Sequence, residues 1–514
     1  STSGERGDAR EILGLALPVL ASGIVDPFLS MVDTAYCGRL GTAALASLGP
    51  CVSLFHLSFN CFGSIRSTTT ALISSALAQS DADFERDPKN AEGKAAAAEM
   101  GLQSLVLAGV TGVAISGLLL CKGDAALSLM GLPPGSPLLP AASNYLKVRA
   151  VASPAFLSIM AMEGVFRGHG DTRAPLLASL SAALANLVLD PLLMFGPLHL
   201  GLAGAAAATA AAQYLAALVY VLMLRRRRDI RLGFADRAGS AQDPAALAPT
   251  AAPAAPAAPG SLRAASRVAV WRARWLSARP IFWTILSANA SLLFRTLALM
   301  LCWALASSTA TRLGAAHAAA HQVTLSIWLA YAMICEAPAV AGQILSARYL
   351  GSGQADRAAR VTVQLLGVCA AVGLGLGLGL MFGLAPAAPG LMAPGQPEVQ
   401  VLLQGTLPVI AAQAPLVALT LALEGVLIGA KEFKWLLGSM AIATAAAAHG
   451  LVETGKLSVG GGGAGLLVEE GTAGAAGVVG LWRGGLTTFF ILRFVLAALR
   501  VADRKRGPLR AQQP

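Results

Sequence analysis

"ALANLVLDPLL", residues 183–193, carries an asparagine and an aspartate inside an otherwise oily run. The apolar stretch extends over 176–195, about the length a helix needs to cross ~30 Å of hydrocarbon. An ionised carboxylate at the centre of such a helix costs roughly 2.5–3.5 kcal/mol on insertion scales. A chain that keeps Asn186 and Asp190 there is expected to use them. The rest of the sequence decides whether this helix crosses a membrane or fills a soluble core.

Of the 514 residues, 55% are hydrophobic and 13% charged. A soluble domain carries about 25% charged residues, so the load here is about half of that. Apolar runs recur at 202–224, 281–305 and 359–384. Runs of this length satisfy their backbone hydrogen bonds as helices rather than as barrel strands. The expectation is an all-α polytopic membrane protein. A net charge of +11 invites a nucleic-acid reading, but the bases sit in loops between spans and no groove-reading motif appears, so no nucleic-acid partner is expected. The seven cysteines, at 37, 51, 61, 121, 302, 335 and 369, show no metal spacing and read as small buried hydrophobes. The numbering begins at Ser1 with a short polar lead and no signal-type segment, as expected after removal of a targeting peptide or where a longer chain has been cut.

Twelve spans are expected near 11–37, 46–79, 99–121, 138–166, 176–196, 202–224, 280–305, 316–347, 359–383, 398–428, 434–452 and 476–499. On that layout most Lys and Arg lie on the face holding both termini and the central loop. Only Arg39, Lys122, Arg312, Lys456 and Arg483 lie on the other. The bias places the termini in the cytoplasm or its organellar equivalent. The central stretch 225–279 opens with "RRRR" and includes "PAALAPTAAPAAPAAPG", the composition of an extended linker. A glycine-rich insertion, 455–475, precedes the last span, and a basic tail covers 500–514.

The halves repeat. "MEGVFRG" (162–168) returns as "LEGVLIG" (423–429), with Pro154 and Pro415 also 261 residues apart. "GRLGTAALAS" (38–47) returns as "TRLGAAHAAA" (311–320). An N-terminal lobe, 1–224, and a C-terminal lobe, 280–499, are therefore expected as two pseudo-symmetric six-helix bundles. "GLGLGLGL" (373–380) alternates like a strand, yet within a long apolar run it reads as helix packing through small residues.

The buried polar residues are the candidates for function. Asn186 and Asp190 stand four apart on one helix face. Asp26 and Asp33 stand seven apart, about two turns, on one face of the first span. Proline follows both Asp26 and Asp190, which frees a carbonyl one turn back. A carboxylate in that setting can exchange a proton or join such carbonyls around a cation; the bland alternative is a protonated acid bonding helix to helix. In the C-terminal lobe, Arg295, Gln322, Glu336 and Glu424 lie inside spans. Arg295 is open between contact with an anionic substrate and a structural pair with Glu336 or Glu424. Glu163 and Glu424, at equivalent repeat positions, are expected to order helix ends. Arg66 in "GSIRSTT" is a further candidate anion contact. His317 and His321 share a face at a spacing a metal could use, but no third ligand is evident and no metal site is expected.

"ALPVLASGIVDPFLSMVDTAYCGRLG" (16–41), "EGVFRGHGDTRAPLLASLSAALANLVLDPLL" (163–193), "FRTLALMLCWALASSTATRLG" (294–314), "HQVTLSIWLAYAMICEAPAVAGQ" (321–343) and "VVGLWRGGLTTFFILR" (478–493) together resemble the multidrug and toxic compound extrusion (MATE) transporters, in particular their DinF-like branch. The likeness covers both halves except the linker and the 455–475 insertion. It implies a V-shaped pair of lobes, alternating access, and export coupled to proton or sodium entry, with no further cofactor. It also implies a coupling cluster in the N-terminal lobe, matching Asp33, Asn186, Asp190, Tyr145 and Thr209, and an acid at Glu336. A small organic solute and the lipid bilayer are the implied partners of a monomer, in a plastid envelope or plasma membrane. A membrane-embedded hydrolase is disfavoured because "GxSxG", "HExxH" and "GxGD" are all absent. A lipid or oligosaccharide flippase of the same two-lobe plan would instead show a strongly basic cavity or extra spans.

Overall fold

The computed structural model describes residues 2–40, 62–86, 92–129, 134–227 without 198, 260–459, and 477–509 without 504–506, besides Ser47, Leu48, Cys51, Leu54, Phe55 and Leu132. Side chains are described for these except 2–6, 26–35, 38, 82–86, 92–93, 129, 260–278 and 452–459. All regular structure among them is helical. The N-terminal half contains α1 (Thr2–Arg39), α2 (Ser64–Arg86), α3 (Glu92–Leu129), α4 (Leu139–Ala150), α5 (Ser153–Gly168), α6 (Arg173–Met194) and α7 (Gly201–Arg226). The C-terminal half contains α8 (Gly260–Arg312), α9 (Ala315–Gly351), α10 (Ala355–Leu378), the short α11 (Ala388–Met392), α12 (Pro397–Gly429), α13 (Phe433–Val459) and α14 (Thr487–Ala502). Wider π-turns continue α10 over Gly379–Leu384 and lead into α14 over Leu481–Leu486.

Eight described helices are long and apolar enough to cross a bilayer, and α4 with α5, bent by 45°, makes a ninth. These nine match the expected spans three to ten and twelve. The first expected span lies on α1 and the eleventh on α13, while only the later part of the second is described, as α2. Helix α8 begins at Gly260, so residues 260–279 of the expected linker are helical. Its remainder beyond 227, and the insertion 460–475, lie outside the described residues.

Small residues set the packing inside each half, and they do so twice. A side chain on Gly112 would meet the backbone of Pro154 at 2.5 Å; one on Gly373, 261 residues later, would meet Pro415 at 2.6 Å. Gly164 faces Arg66 O at 2.7 Å, and its counterpart Gly425 faces Ala339 O at 2.3 Å. Gly168 lies against Ile73 and Thr70, and its counterpart Gly429 against Gln343 and Ser346. The repeated "EGV" motif with its second glycine is thus a packing device: α5 closes on α2 as α12 closes on α9. Without a hydrophobic drive between helices in lipid, such close backbone approach is how bundles gain contact. The "GLGLGLGL" run behaves the same way, with Gly373 and Gly377 against α12 and Gly375 and Gly379 facing open space.

Candidate functional site

On α6 the polarity is turned inside out. Asn186 is 2% exposed and Asp190 wholly buried, while Leu184, Val188 and Leu192 are more than half exposed on the outer face. Helix α7 packs along the buried face. Thr209 Oγ1 donates to Ala205 O at 2.9 Å, so its lone pairs are turned to accept from Asn186 Nδ2 at 3.4 Å. Helix α4, which carries the buried Tyr145, packs on α7 as well. Helix α1 packs on α6, and the rings of Tyr36 and Phe195 meet edge to face at 6.2 Å. Asp33 precedes Tyr36 by three residues and Asp190 precedes Phe195 by five, so their backbones stand within about one turn of the same level at ~1.5 Å per residue. The side chains of Asp26 and Asp33 lie outside those described; their helix is in place. Asn186, Asp190, Thr209 and Tyr145 thus belong to one group of adjoining helices.

A second group bridges the halves. Arg66 on α2 reaches Glu163 on α5 at 3.4 Å and Glu336 on α9 at 3.7 Å, and Arg167 closes on Glu163 from the next turn. Glu163 and Arg167 are buried. The side chains of Arg66 and Glu336 are 29% and 55% exposed, which places the pair where the halves begin to separate. Two arginines face two glutamates, so the group is balanced. Gln322 shares an exposed stripe of α9 with Ser326, Leu329 and Glu336, and so faces the same side as the bridging acid.

The C-terminal half has its own charged centre. Glu424 on α12 accepts from Arg493 Nε and Nη2, both at 2.9 Å, and pairs with Arg295. Arg493 also lies over the rings of Phe489 and Phe490, at 5.0 and 5.6 Å. The open choice for Arg295 resolves geometrically to Glu424, and Glu336 turns to Arg66 instead. Glu424 does more than order a helix end, since it joins α8, α12 and α14. Arg493 was missed from sequence; the signal was an arginine between phenylalanines in "FFILRF" (489–494), which reads as an interfacial anchor until its partner is known. His321 is buried, with Nε2 3.1 Å from Ser307 Oγ and its ring against Trp482. That engages it in the core of the bundle. Cys37, Cys51, Cys302, Cys335 and Cys369 are buried as expected, whereas Cys121 is exposed, as are Val106, Val110, Val113 and Leu118 of the same helix α3.

The halves are tied on one face, the one carrying the N-terminus. Gln343 Nε2 donates to Ser67 O at 2.8 Å and Ser74 Oγ to Ile344 O at 3.1 Å. Arg348 Nη1 and Tyr349 Oη both donate to Glu11, at 2.8 and 2.7 Å. Arg357 reaches Asp8 at 3.4 Å while lying over the Tyr349 ring. Gly170, with φ +78°, brings the α5–α6 loop against Arg348.

Known proteins share this arrangement. The chain is 31% identical to Protein DETOXIFICATION 44, chloroplastic, of Arabidopsis thaliana over 499 residues, covering 97% of this chain and 83% of that one. It is 32% identical over 221 residues to DNA damage-inducible protein F of Escherichia coli, covering 42% of this chain and 44% of that one. Its fold is similar to a solved structure described as an outward-facing conformation of a multidrug resistance MATE family transporter, with TM-score 0.76, 18% identity and 97% of each chain covered. The MatE family profile matches residues 18–192 and 292–448, one stretch in each half. The protein is an integral, multi-pass membrane transporter, not an enzyme, and belongs to the multidrug and toxic compound extrusion family.

Proposed function

We propose that this transporter is an antiporter, exporting a small organic solute in exchange for protons or sodium, with Asp33, Asn186 and Asp190 as the coupling group and Tyr145, Thr209 and Asp26 beside it. The observation that carries the reading is Asp190, wholly buried on the inward face of a span whose neighbour positions Asn186 through Thr209. A neutral amide hydrogen-bonds an acid in either protonation state, because it offers both donor and acceptor. Desolvation opposes the charged form, and a cation or proton entering the site relieves that cost. Pro191, inside α6, supplies a place for the helix to bend as the charge changes.

Substrate is assigned to the cleft between the halves, with Arg66, Glu336 and Gln322 on its wall and Arg295 behind it, held by Glu424. The ties on the N-terminal face support a cleft open to the opposite side in this state, as in the outward-facing structure it resembles. The excess of Lys and Arg puts that tied face on the cytoplasmic or stromal side. A plastid envelope is favoured over the plasma membrane by the chloroplastic relatives. The protein works as a monomer without a further cofactor. The charge balance of the bridging group supports solute extrusion over flipping of anionic lipid, which calls for a basic cavity.

The test is antiport in proteoliposomes at pH 6 and pH 8, with proton and sodium gradients imposed separately. Asp190→Asn and Asp33→Asn are each expected to abolish gradient-driven export while leaving membrane insertion near wild type. Full coupled transport by either variant would sink the coupling assignment.

A further inference from the structure

Residues 260–279, which composition reads as linker, continue into the seventh span as one helix, α8. They carry Arg263, Arg267, Arg272, Arg274 and Arg279, and no Asp or Glu stands anywhere between Asp243 and Glu336. The segment, about 30 Å of helix at ~1.5 Å per residue, has no acid of its own to answer that charge. Arg263 and Arg267 stand four apart, a spacing at which like charges repel along a helix. At about 100° per residue, helical register puts all five arginines on one half of the surface, with Trp271 and Trp275 between them. The other half carries Leu262, Ala265, Ala269, Ala273 and Leu276.

This helix enters the bundle at the tied face. Ala288 and Leu292 of α8 pack in one cluster with Leu427 and Phe433, and Gly429 rests on Gln343, which itself bonds to Ser67. Arg279 and Trp283 are exposed where the span begins, and tryptophan favours the border between headgroups and hydrocarbon. Pro280 gives no N–H to the carbonyl of Leu276, so α8 has a weak point at that border. Arg225 and Arg226, exposed at the end of α7, emerge on the same face, since 227–259 holds no apolar run that could cross again. A helix joined directly to a span is held at the bilayer, where effective concentration favours docking on the lipid surface. Arginine stems lie along apolar surface while their heads stay among phosphates, whose oxygens the guanidinium fork matches. Tryptophans flanked by arginines suit a surface that is anionic at its edge and apolar beneath, which is a lipid leaflet.

We infer that the arginine and tryptophan half of 260–279 docks on the anionic phospholipid headgroups of the leaflet at the tied face, bending at Pro280 to do so. The inference stands without the coupling assignment, because it concerns neither the solute nor the gradient. The test uses the full chain with a nitroxide at Val268→Cys in a Cys121→Ser background, the Cys121→Ser protein alone giving the blank. Nanodiscs of phosphatidylcholine, with and without phosphatidylglycerol, supply the surface, and a neutral nickel chelate in the water reads the exposure of the label. Phosphatidylglycerol is expected to shield the label several-fold, and about 1 M salt to undo the shielding. Arg263→Gln, Arg267→Gln and Arg274→Gln together should abolish it, since each base at an anionic surface is worth about fivefold in binding. The same three positions changed to Lys should keep most of it. Glutamine keeps a good helix propensity; should that variant still fail to insert, salt reversal in the parent makes the same discrimination. Equal exposure in the two lipids, or shielding that survives the glutamine changes, overturns the assignment. Shielding by inorganic phosphate in phosphatidylcholine alone overturns it too, by giving the segment to a soluble anion.

Discussion

Glu424 accepts from two guanidinium groups inside the C-terminal half, one of them through two hydrogen bonds, so its charge is heavily committed. Removing one partner of a buried pair costs about 3–5 kcal/mol, because the other charge is left in a poor dielectric. Glu424→Gln is accordingly expected to lower the thermal unfolding temperature in detergent sharply. Arg295→Gln should lower it less, since Arg493 still answers Glu424; adding Glu336→Gln to Arg295→Gln should restore nothing, because those two residues are not partners. An unchanged melting curve for Glu424→Gln would show that the centre is dispensable to folding. This residue also marks how far sequence reasoning reaches. Asn186 and Asp190 were legible because a polar pair at helical spacing in an apolar run has one sensible orientation. Arg295 was legible as a buried base, but its choice between two glutamates depends on which helices adjoin, and no local pattern carries that.

At the scale of helices, the repeated glycines make a sharper claim than the repeat alone. Gly425 and Gly429 let α12 approach α9 so closely that a methyl group would meet backbone oxygen at 2.3 and 2.4 Å. Overpacking of this sort costs about 1–3 kcal/mol. Gly425→Ala and Gly164→Ala should each be destabilised by that order in a thermal or denaturant series. Gly438→Ala, where nothing lies within 4 Å, should be neutral or slightly stabilised as a better helix former. Equal behaviour of Gly425 and Gly438 would refute the packing role. The spans themselves were readable from length and hydropathy; the ends of the fourth to sixth, eighth to tenth and twelfth fell within four residues of the helix ends, whereas the helices of the first, third and seventh run well beyond them. Residues 260–279 were not, since their Ala and Arg suit a helix as well as a solvated linker, and only continuity with α8 decides.

Taken as a whole molecule, the chain is tied across its N-terminal face by Asp8, Glu11, Arg348, Tyr349 and Arg357. The side chains of Arg348 and Arg357 are about two-fifths exposed, at 39% and 42%, so these pairs are open to screening. Asp8→Asn with Glu11→Gln should shift the population towards a state separated on this face. Spin labels at His169→Cys and Ser352→Cys, in a Cys121→Ser background, should then report a longer distance component. About 1 M salt should produce the same component in the parent and add little to the double variant. Identical distance distributions in both proteins at low salt would show that the ties do not hold the face shut. The two-half plan was foreseeable from the repeat, whereas which face is joined was not, because it rests on contacts between residues more than 250 positions apart.

The glycine contacts and the cross-half ties differ in mechanical kind. Within a half, backbone bears directly on backbone, a joint that neither compresses nor slides without loss. Between halves, Gly351 bears on the backbone of Ser75 at 2.6 Å, but the neighbouring ties are of another sort: Ser74 and Gln343 reach by flexible side chains to carbonyl oxygens of helices that are already complete. Letting go of those carbonyls leaves their helices intact, so parting the seam is cheap while bending either half is not. Compliance is therefore expected at the seam between the halves, beside the close contact of Gly351 with Ser75, rather than inside either bundle.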